Sequence, residues 1–408
     1  MVARQMASSL PEKLFLGSGM LEEEQPWSVE NSVAGAGLLK ITHPNVENGI
    51  FRAALNGFRR KADYLELAIS VISWRDEKAM KKSITMVLFT LLLTVVFTGP
   101  AVAKDRLAIG YSSASGTFAG LWVAHEGKLF EKYDIDSQLV LIASGSLMVQ
   151  AMLGGNLPLA AAAGNAAVDA TLGGADIVMV GALVKVLAFY IMALPEIKAI
   201  EELRGKVVGV TRFGSASDFT MRSVLRRAGL EAGRDVTVIQ TGDLFAAAAM
   251  LRTRAIVAAP FSSPTNLRAE EAGARVLMNM GKAGVYFPHE AFMARRSFVN
   301  THEGLVRRFL KGYSEGVHRL YSDPVFSKRA MGKYARATDA RTLDAVYQYA
   351  LDYVDKVPYN TREGIQEVLN QTGARNPAAK AASPETFYDD RFIKELETSG
   401  FYKQLWRK

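Results

Sequence analysis

Residues 104–408 predict an α/β fold of two facing lobes, and three observations carry that prediction. Short apolar, strand-like runs alternate with helix-like runs, the texture of sheets built from β-loop-α units. The alternation occurs twice, the second copy lying about one hundred residues after the first. Each strand-like run ends in a small, polar turn that opens a helix. In such sheets ligands sit off the carboxyl ends of the strands, where these turns collect, so two lobes of this kind make a cleft.

In the first copy, Arg106 to Tyr111 is strand-like and leads through Ser112-Ser113-Ala114-Ser115-Gly116 into a helical run from Thr117 to Gly127. Gln138 to Ile142 leads into Ser144-Gly145-Ser146 and a helix to about Leu153. Leu157 to Ala162 leads into Ala163-Gly164-Asn165 and a helix to about Leu172, and Ile177 to Val180 is a fourth strand. In the second copy, Lys206 to Thr211 precedes Phe213-Gly214-Ser215-Ala216-Ser217-Asp218 and a helix to Leu230. Asp235 to Gln240 precedes Thr241-Gly242-Asp243 and the helix Leu244 to Leu251. Ala255 to Ala259 precedes Pro260-Phe261-Ser262-Ser263-Pro264, a helix follows to about Glu271, and Arg275 to Met280 is the fourth strand. Ser-Ala-Ser stands in the first loop of both copies. Serines and aspartates here suit ordinary helix caps, but caps alone do not explain polar turns at the same end of every strand. Free N–H groups, hydroxyls and helix N-termini gathered there suit an anionic or polar ligand head. The alternation predicts parallel sheets.

Ala291 to Ala294 is a further strand, expected to complete the first lobe's sheet. The rest is helical. Leu305, Val306, Phe309, Leu310, Tyr313, Val317 and Leu320 repeat at helix spacing until Asp323-Pro324 breaks the run. A second periodic run spans Leu343 to Val354, a shorter helix spans Gly364 to Leu369, and Phe392 to Trp406 is helical with a break at Ser399-Gly400. These helices are expected to pack on the first lobe. The expected division is therefore 104–187 with 284–408 for lobe one and 188–283 for lobe two.

Before residue 104 the texture differs. Met80-Lys81-Lys82, the apolar run Ile84 to Phe97 and Ala101-Val102-Ala103 are the basic, apolar and cleavage parts of a secretory signal. The run is short for a membrane span, which needs about 20 apolar residues. Residues 80–103 are thus a predicted signal peptide, with the mature protein starting at Lys104. Residues 1–79 are either an over-extended reading upstream of Met80 or a cytoplasmic extension that makes the apolar run an anchor.

Composition narrows the chemistry. The 408 residues are 49% apolar and 22% charged, ordinary for a globular protein. The net charge of +8 comes from scattered basic residues, which read as solvated faces rather than a nucleic-acid surface. The absence of cysteine excludes disulfides, thiolate metal sites and cysteine nucleophiles, and no two of the five histidines have metal-ligand spacing on one helix. No nucleophile elbow, phosphate loop or dinucleotide fingerprint occurs. His125 reads as a satisfied helix residue, His289 as a hinge or cleft residue, and Asp218 and Asp243 as caps. No catalytic residue, metal or cofactor is predicted.

Residues 104–408 resemble the periplasmic substrate-binding proteins of ABC importers, the nitrate/sulfonate/taurine-type group (SsuA/THI5-like, NMT1-like). The resemblance rests on Ala108-Ile109-Gly110-Tyr111, on Leu121 to Phe130 (Leu-Trp-Val-Ala-His-Glu-Gly-Lys-Leu-Phe), on Leu203 to Val210 (Leu-Arg-Gly-Lys-Val-Val-Gly-Val), on the Arg212 to Ser215 turn and on Phe309-Leu310-Lys311. It implies a type II periplasmic-binding fold, two α/β lobes joined by two crossovers around a ligand cleft, plus C-terminal helices. It further implies a monomeric protein in the periplasm that hands a small solute to a permease and its ATPase. Two departures stand out. Gly155-Asn156-Leu157-Pro158 and Thr253-Arg254-Ala255-Ile256 lack the family's acids before the third strands, at the end remote from the cleft, where an effect on stability is expected. The pyrimidine-precursor enzymes of the family use a cysteine-rich motif that is missing here.

The cleft residues expected from the turns are Ser112, Ser115, Ser144, Ser146 and Asn165 from the first lobe. From the second they are Phe213, Ser215, Ser217, Asp218 and Ser262. Tyr111, Phe213, Phe261 and Tyr286 are candidates to cover an apolar part of the solute, and Arg212 is the candidate clamp. Leucine at both Ser215 and Ser217 is expected to abolish binding without unfolding. An enzyme on the same fold, with Lys185 as its lysine, and a sensor or docking protein that has lost transport stand as alternatives.

Overall fold

The computed structural model describes residues 28–31, 39–42, Met86 and 104–407. The chain divides into two units, 1–101 and 102–408. The described part of the first unit includes an antiparallel ladder of β1 (Ser28–Asn31) and β2 (Leu39–Thr42), with Ser28 opposite Thr42. Apart from these residues and Met86, the expected extension 1–79 and signal segment 80–103 lie outside the described residues. Among the described residues no helix is long and apolar enough to cross a membrane.

The second unit contains two five-stranded sheets. The first comprises β3 (Asp105–Tyr111), β4 (Ile135–Leu141), β5 (Leu159–Ala162), β6 (Ile177–Val186) and a long final strand, β12 (Tyr286–Arg295), in the order β4-β3-β5-β12-β6. The second comprises β7 (Tyr190–Ala193), β8 (Val207–Val210), β9 (Thr237–Gln240), β10 (Ala258–Phe261) and β11 (Arg275–Asn279), in the order β9-β8-β10-β7-β11. The two orders match position for position. The chain leaves the first sheet after β6 and enters the second as β7; it leaves the second after β11 and returns as β12.

Each returning strand lies fourth in the sheet it enters, antiparallel to both neighbours. The sheets are therefore mixed, which corrects the expectation of parallel sheets. β3 does pair in parallel with β4 and β5, and β8 with β9 and β10, as β-α alternation requires. The four-residue β7 escapes sequence reading because it follows β6 after a short apolar link and looks like more of the same run. β12 joins the first sheet between β5 and β6.

The two copies share a packing device. An added Cβ at Gly110 would lie 2.4 Å from Met148 Sδ and 2.6 Å from a Leu157 methyl; at Gly209 it would lie 2.6 Å from an Ile256 methyl. Leu157 and Ile256 occupy the stretches where the family's acids are missing, and both are buried beneath the central strands. Their side chains fill the space the glycines leave open.

The helices follow the predicted periodicity. In α1 (Ala119–Glu126), Leu121, Trp122, Val123 and Ala124 are fully buried. The helices α2 (Gly145–Leu153), α3 (Gly164–Leu172), α4 (Ala216–Arg227), α5 (Leu244–Arg252) and α6 (Thr265–Glu271) each follow a strand. A short α7 (Arg296–Thr301) precedes α8 (Glu303–Ser322), whose seven expected core residues are all buried. Phe309 of α8 stacks on Phe130 at 5.3 Å and meets Phe292 of β12 edge-on at 4.8 Å. Asp323 ends α8 and caps α9 (Pro324–Tyr334), accepting from the Phe326 N–H at 3.1 Å. Then come α10 (Ala340–Tyr353), α11 (Arg362–Thr372), α12 (Ala378–Ala381), α13 (Arg391–Thr398) and α14 (Phe401–Leu405). Gly400, with φ 77°, makes the break between the last two. Residues of α8, α10 and α13 share one core with β3 and β12, which places them on the first sheet.

Candidate functional site

Four helices begin at one cleft. Ser144 and Gly145 at the start of α2, Ser215 to Ser217 at the start of α4, Asp243 to Phe245 at the start of α5, and Thr265 at the start of α6 all line it, together with Ser112 after β3. The space measures about 730 Å³, including the part open to solvent. Helix N-termini present unpaired N–H groups and a partial positive charge, so their convergence favours acceptor atoms and negative charge in the cleft.

The wall from the second sheet is a hydroxyl cluster. Ser217 Oγ accepts from the Thr211 N–H at 2.8 Å and lies 2.9 Å from both Thr211 Oγ1 and Ser215 Oγ. Thr211 Oγ1 donates to Ser215 Oγ at 3.0 Å, and Ser215 Oγ also caps α4 by accepting from the Asp218 N–H at 3.4 Å. The strand-to-helix turn forms because Gly214, at φ 77°, supplies a conformation costly for other residues. Asp218 reaches back to accept from the Gly214 N–H at 3.0 Å and is held by Arg222 at 2.7 Å. Asp218 thus braces the turn that opens α4 and lies outside the cleft lining. On the opposite wall Ser144 Oγ lies 2.9 Å from Ser146 Oγ, and Ser144 takes φ 123°. A non-glycine residue held there stores strain of the kind concentrated at ligand sites.

Of the ten expected site residues, Ser112, Ser144, Ser215 and Ser217 line the cleft. The other six lie outside its lining. Ser115 is buried as the cap of the turn Gly116–Phe118, accepting from the Thr117 N–H, and Ser146 backs Ser144. Asn165 donates from Nδ2 to the Gly214 carbonyl at 2.9 Å, tying α3 to the turn before α4. The Gly116 N–H likewise donates to the Ser263 carbonyl at 3.0 Å, a second bond between the two halves. Ser262 is buried and its carbonyl accepts from Thr265 Oγ1 at 2.7 Å. Phe213 is half exposed beneath Arg222, and Asp218 is engaged as described.

The apolar lining also differs from expectation. Tyr111 packs in the core against Trp122 at 5.9 Å, Phe261 is fully buried, and Tyr286 is exposed. Leu141, Phe189, Leu244 and Phe245 line the cleft instead. Arg212 is not in the lining; Arg336 is. Arg336 sits in the loop after α9 at φ 53°, with its guanidinium 5.1 Å from the Phe245 ring centre, and forms no ion pair among the described residues. Nothing local marks it, because it reaches the cleft from a helical segment far along the chain. Glu290 is the other addition. It lines the cleft from β12, is 4% exposed, and accepts from Ser112 Oγ at 3.4 Å. A lone acid within the apolar run Phe287 to Ala294 was its signal in the sequence.

Other titratable candidates are placed elsewhere. His289 is buried edge-on to Phe189 at 4.6 Å, and burial holds its imidazole down to about 3. His125 is satisfied by Ser137 Oγ at 2.8 Å. Lys185 lies 3.4 Å from Asp355 and donates to the Val357 carbonyl at 3.0 Å, outside the cleft lining. Among the described residues no group of three or more His, Asp or Glu could hold a metal.

The model of the NMT1/THI5-like family matches residues 115–326, more than half of the chain. No curated protein sequence matches it. Among solved structures, the alkanesulfonate-binding protein SsuA of Xanthomonas axonopodis pv. citri, solved with MOPS bound, is similar at TM-score 0.61 and 18% identity over 71% of this chain and 100% of its own. The periplasmic nitrate-binding protein NrtA of Synechocystis is similar at TM-score 0.57 and 13% identity, over 72% of this chain and 89% of its own. The desulfurization enzyme DSZB is similar at TM-score 0.53 and 12% identity, over 72% and 99%. At these identities the likeness establishes the two-lobed binding-protein fold, which carries both binding proteins and an enzyme.

Proposed function

The chain belongs to the NMT1/THI5-like family, and we propose that it is the periplasmic solute-binding component of an ABC importer. It captures a small, polar or anionic organic solute between the two lobes and delivers it to a permease driven by an ATPase. The observation that carries this reading is the cleft onto which four helix N-termini and the hydroxyls of Ser112, Ser144, Thr211, Ser215 and Ser217 converge. Donors of this kind hold oxyanions and other acceptor-rich groups. Phe189, Leu244 and Phe245 supply an apolar wall for the organic part, and Arg336 adds positive charge.

Binding is favoured over catalysis by the arrangement of the side chains. The cleft serines hydrogen-bond to one another and to backbone, with no histidine among the lining residues to activate them. Lys185, the lysine an enzyme reading would need, is held by Asp355. The protein acts as a monomer, exported by the segment 80–103. Mass spectrometry of the solute that co-purifies with protein taken from the periplasm tests the function. A small acid or polar organic molecule, displaced on unfolding, is the expected result, and turnover of that molecule by the pure protein would refute the reading. N-terminal sequencing of the same material is expected to begin at Lys104; a chain retaining residues 80–103 would refute export by cleavage.

A further inference from the structure

Resting on the solute-binding reading, the geometry points to a role for the acid buried in the cleft. We infer that Glu290 is a specificity-determining residue: its carboxyl group donates a hydrogen bond to an acceptor oxygen of an anionic solute, so that the cleft takes oxyanions and rejects amines. Glu290 lines the cleft while only 4% exposed, the deep counterpart of the exposed Arg336. Ser112 Oγ approaches it at a long 3.4 Å and the Thr117 side chain stands beside it, fewer partners than the two oxygens of a carboxyl can engage, which leaves capacity for a ligand.

No cation compensates it among the described residues. The groups facing Glu290 are Ser112 after β3, Thr117 in the turn before α1, and Tyr349 of α10. The Tyr349 hydroxyl is already spent on the Ala188 carbonyl. His289, next to it on β12, is buried and uncharged, and Lys185, on the paired strand β6, is engaged by Asp355. A carboxylate buried without a cation costs more than taking up a proton, so burial pushes the Glu290 carboxyl well above the usual carboxylate range. The remaining lining agrees with this state. Hydroxyls, helix N-termini and Arg336 all favour acceptor oxygens, and a carboxylic acid adds one more donor where a carboxylate would repel the solute.

The test uses the full mature chain with benzoate and benzylamine as matched probes in calorimetry, from mildly acidic to alkaline pH. Benzoate is expected to bind tighter than benzylamine and to weaken about tenfold or more as pH rises and Glu290 ionises, a change of about 1.4 kcal/mol or more. Glu290→Gln, which keeps an N–H donor of similar shape, is expected to retain the benzoate affinity within about threefold while losing that pH dependence. Independently of any probe, the wild-type minus Glu290→Gln infrared difference at neutral pH is expected to contain a protonated-carboxyl C=O band. Tighter binding of benzylamine, an unchanged pH dependence in Glu290→Gln, or a carboxylate band in place of the acid band would overturn the inference alone. A chain that binds neither probe and carries no co-purifying solute would overturn the solute-binding reading and this inference with it.

Discussion

The two serines at the start of α4 separate a structural from a binding role. Ser217 Oγ is the acceptor for the Thr211 N–H at 2.8 Å, and the residue is 2% exposed. Ser217→Ala therefore takes the side-chain partner from a partly buried N–H, which costs about 1–2 kcal/mol. Ser215 Oγ caps α4 through a long 3.4 Å contact with the Asp218 N–H, so Ser215→Ala should cost about 1 kcal/mol or less. Both residues line the cleft, and losing either hydroxyl should weaken solute binding by roughly fivefold, the worth of about 1 kcal/mol of neutral hydrogen bonding. The two hydroxyls also bond each other at 2.9 Å, so the double variant should lose less than the sum of the singles. Urea unfolding measures the stabilities, as midpoints at constant slope, and calorimetry with the co-purified solute measures the affinities. Equal stability losses for the two single variants, or a double variant that is strictly additive, would refute the assignment of Ser217 as the backbone anchor. Leucine at both positions is a poorer probe than the sequence suggests, because both side chains are buried and overpacking costs about 1–3 kcal/mol.

Arg336→Ala should weaken binding of the anionic solute by a few-fold at low salt and leave it nearly unchanged at high salt, since an exposed charge contributes about 1 kcal/mol at most; salt-independent loss in calorimetry would contradict this. Gly316→Ala should be among the most damaging single changes. Its Cβ would lie 2.5 Å from both the Gly120 carbonyl oxygen and Ala124 Cβ, where α8 crosses α1, and backbone cannot yield cheaply. A loss of about 3 kcal/mol is expected in urea unfolding, and a neutral result would mean the helices cross less closely. Asp390, which accepts from Asn360 Nδ2 at 2.7 Å, has its carboxyl raised by burial to about 6. The fold thus favours the protonated form; this contribution is fully present below about pH 4 and is lost as pH rises through about 6. Asp390→Asn should flatten that slope and stabilise the neutral-pH protein by about 2–3 kcal/mol, read from urea midpoints across the same range.

Much of this architecture is written locally. The seven apolar residues of α8, the Asp323-Pro324 stop and the Gly400 break follow from helix period, capping and backbone freedom, which act over a few residues. The strand-turn-helix units were legible for the same reason, and with them the position of the cleft at the start of several helices. Ser112, Ser144, Ser215 and Ser217 line that cleft, and each lies on a turn that forms it. Asn165, Ser115 and Ser262 lie on the same turns, yet their side chains or backbones are spent on caps and on bonds between the lobes. Position in a turn does not fix the direction of a side chain.

Sequence alone determined that the chain alternates strand and helix twice and gathers polar turns at one end, because those signals are periodic and short-ranged. Tertiary structure decided where the crossing strands go. β7 and β12 each join the other half's sheet antiparallel to both neighbours, a choice made by partners distant in sequence. It also decided the charge of the site. Glu290 arrives on a returning strand and Arg336 from the loop after α9, and only their meeting with Ser112 and Phe245 makes them cleft residues. An acid whose carboxyl burial pushes upward and a cation without an ion pair among the described residues are products of burial and distance, which exist only once the chain has closed on itself.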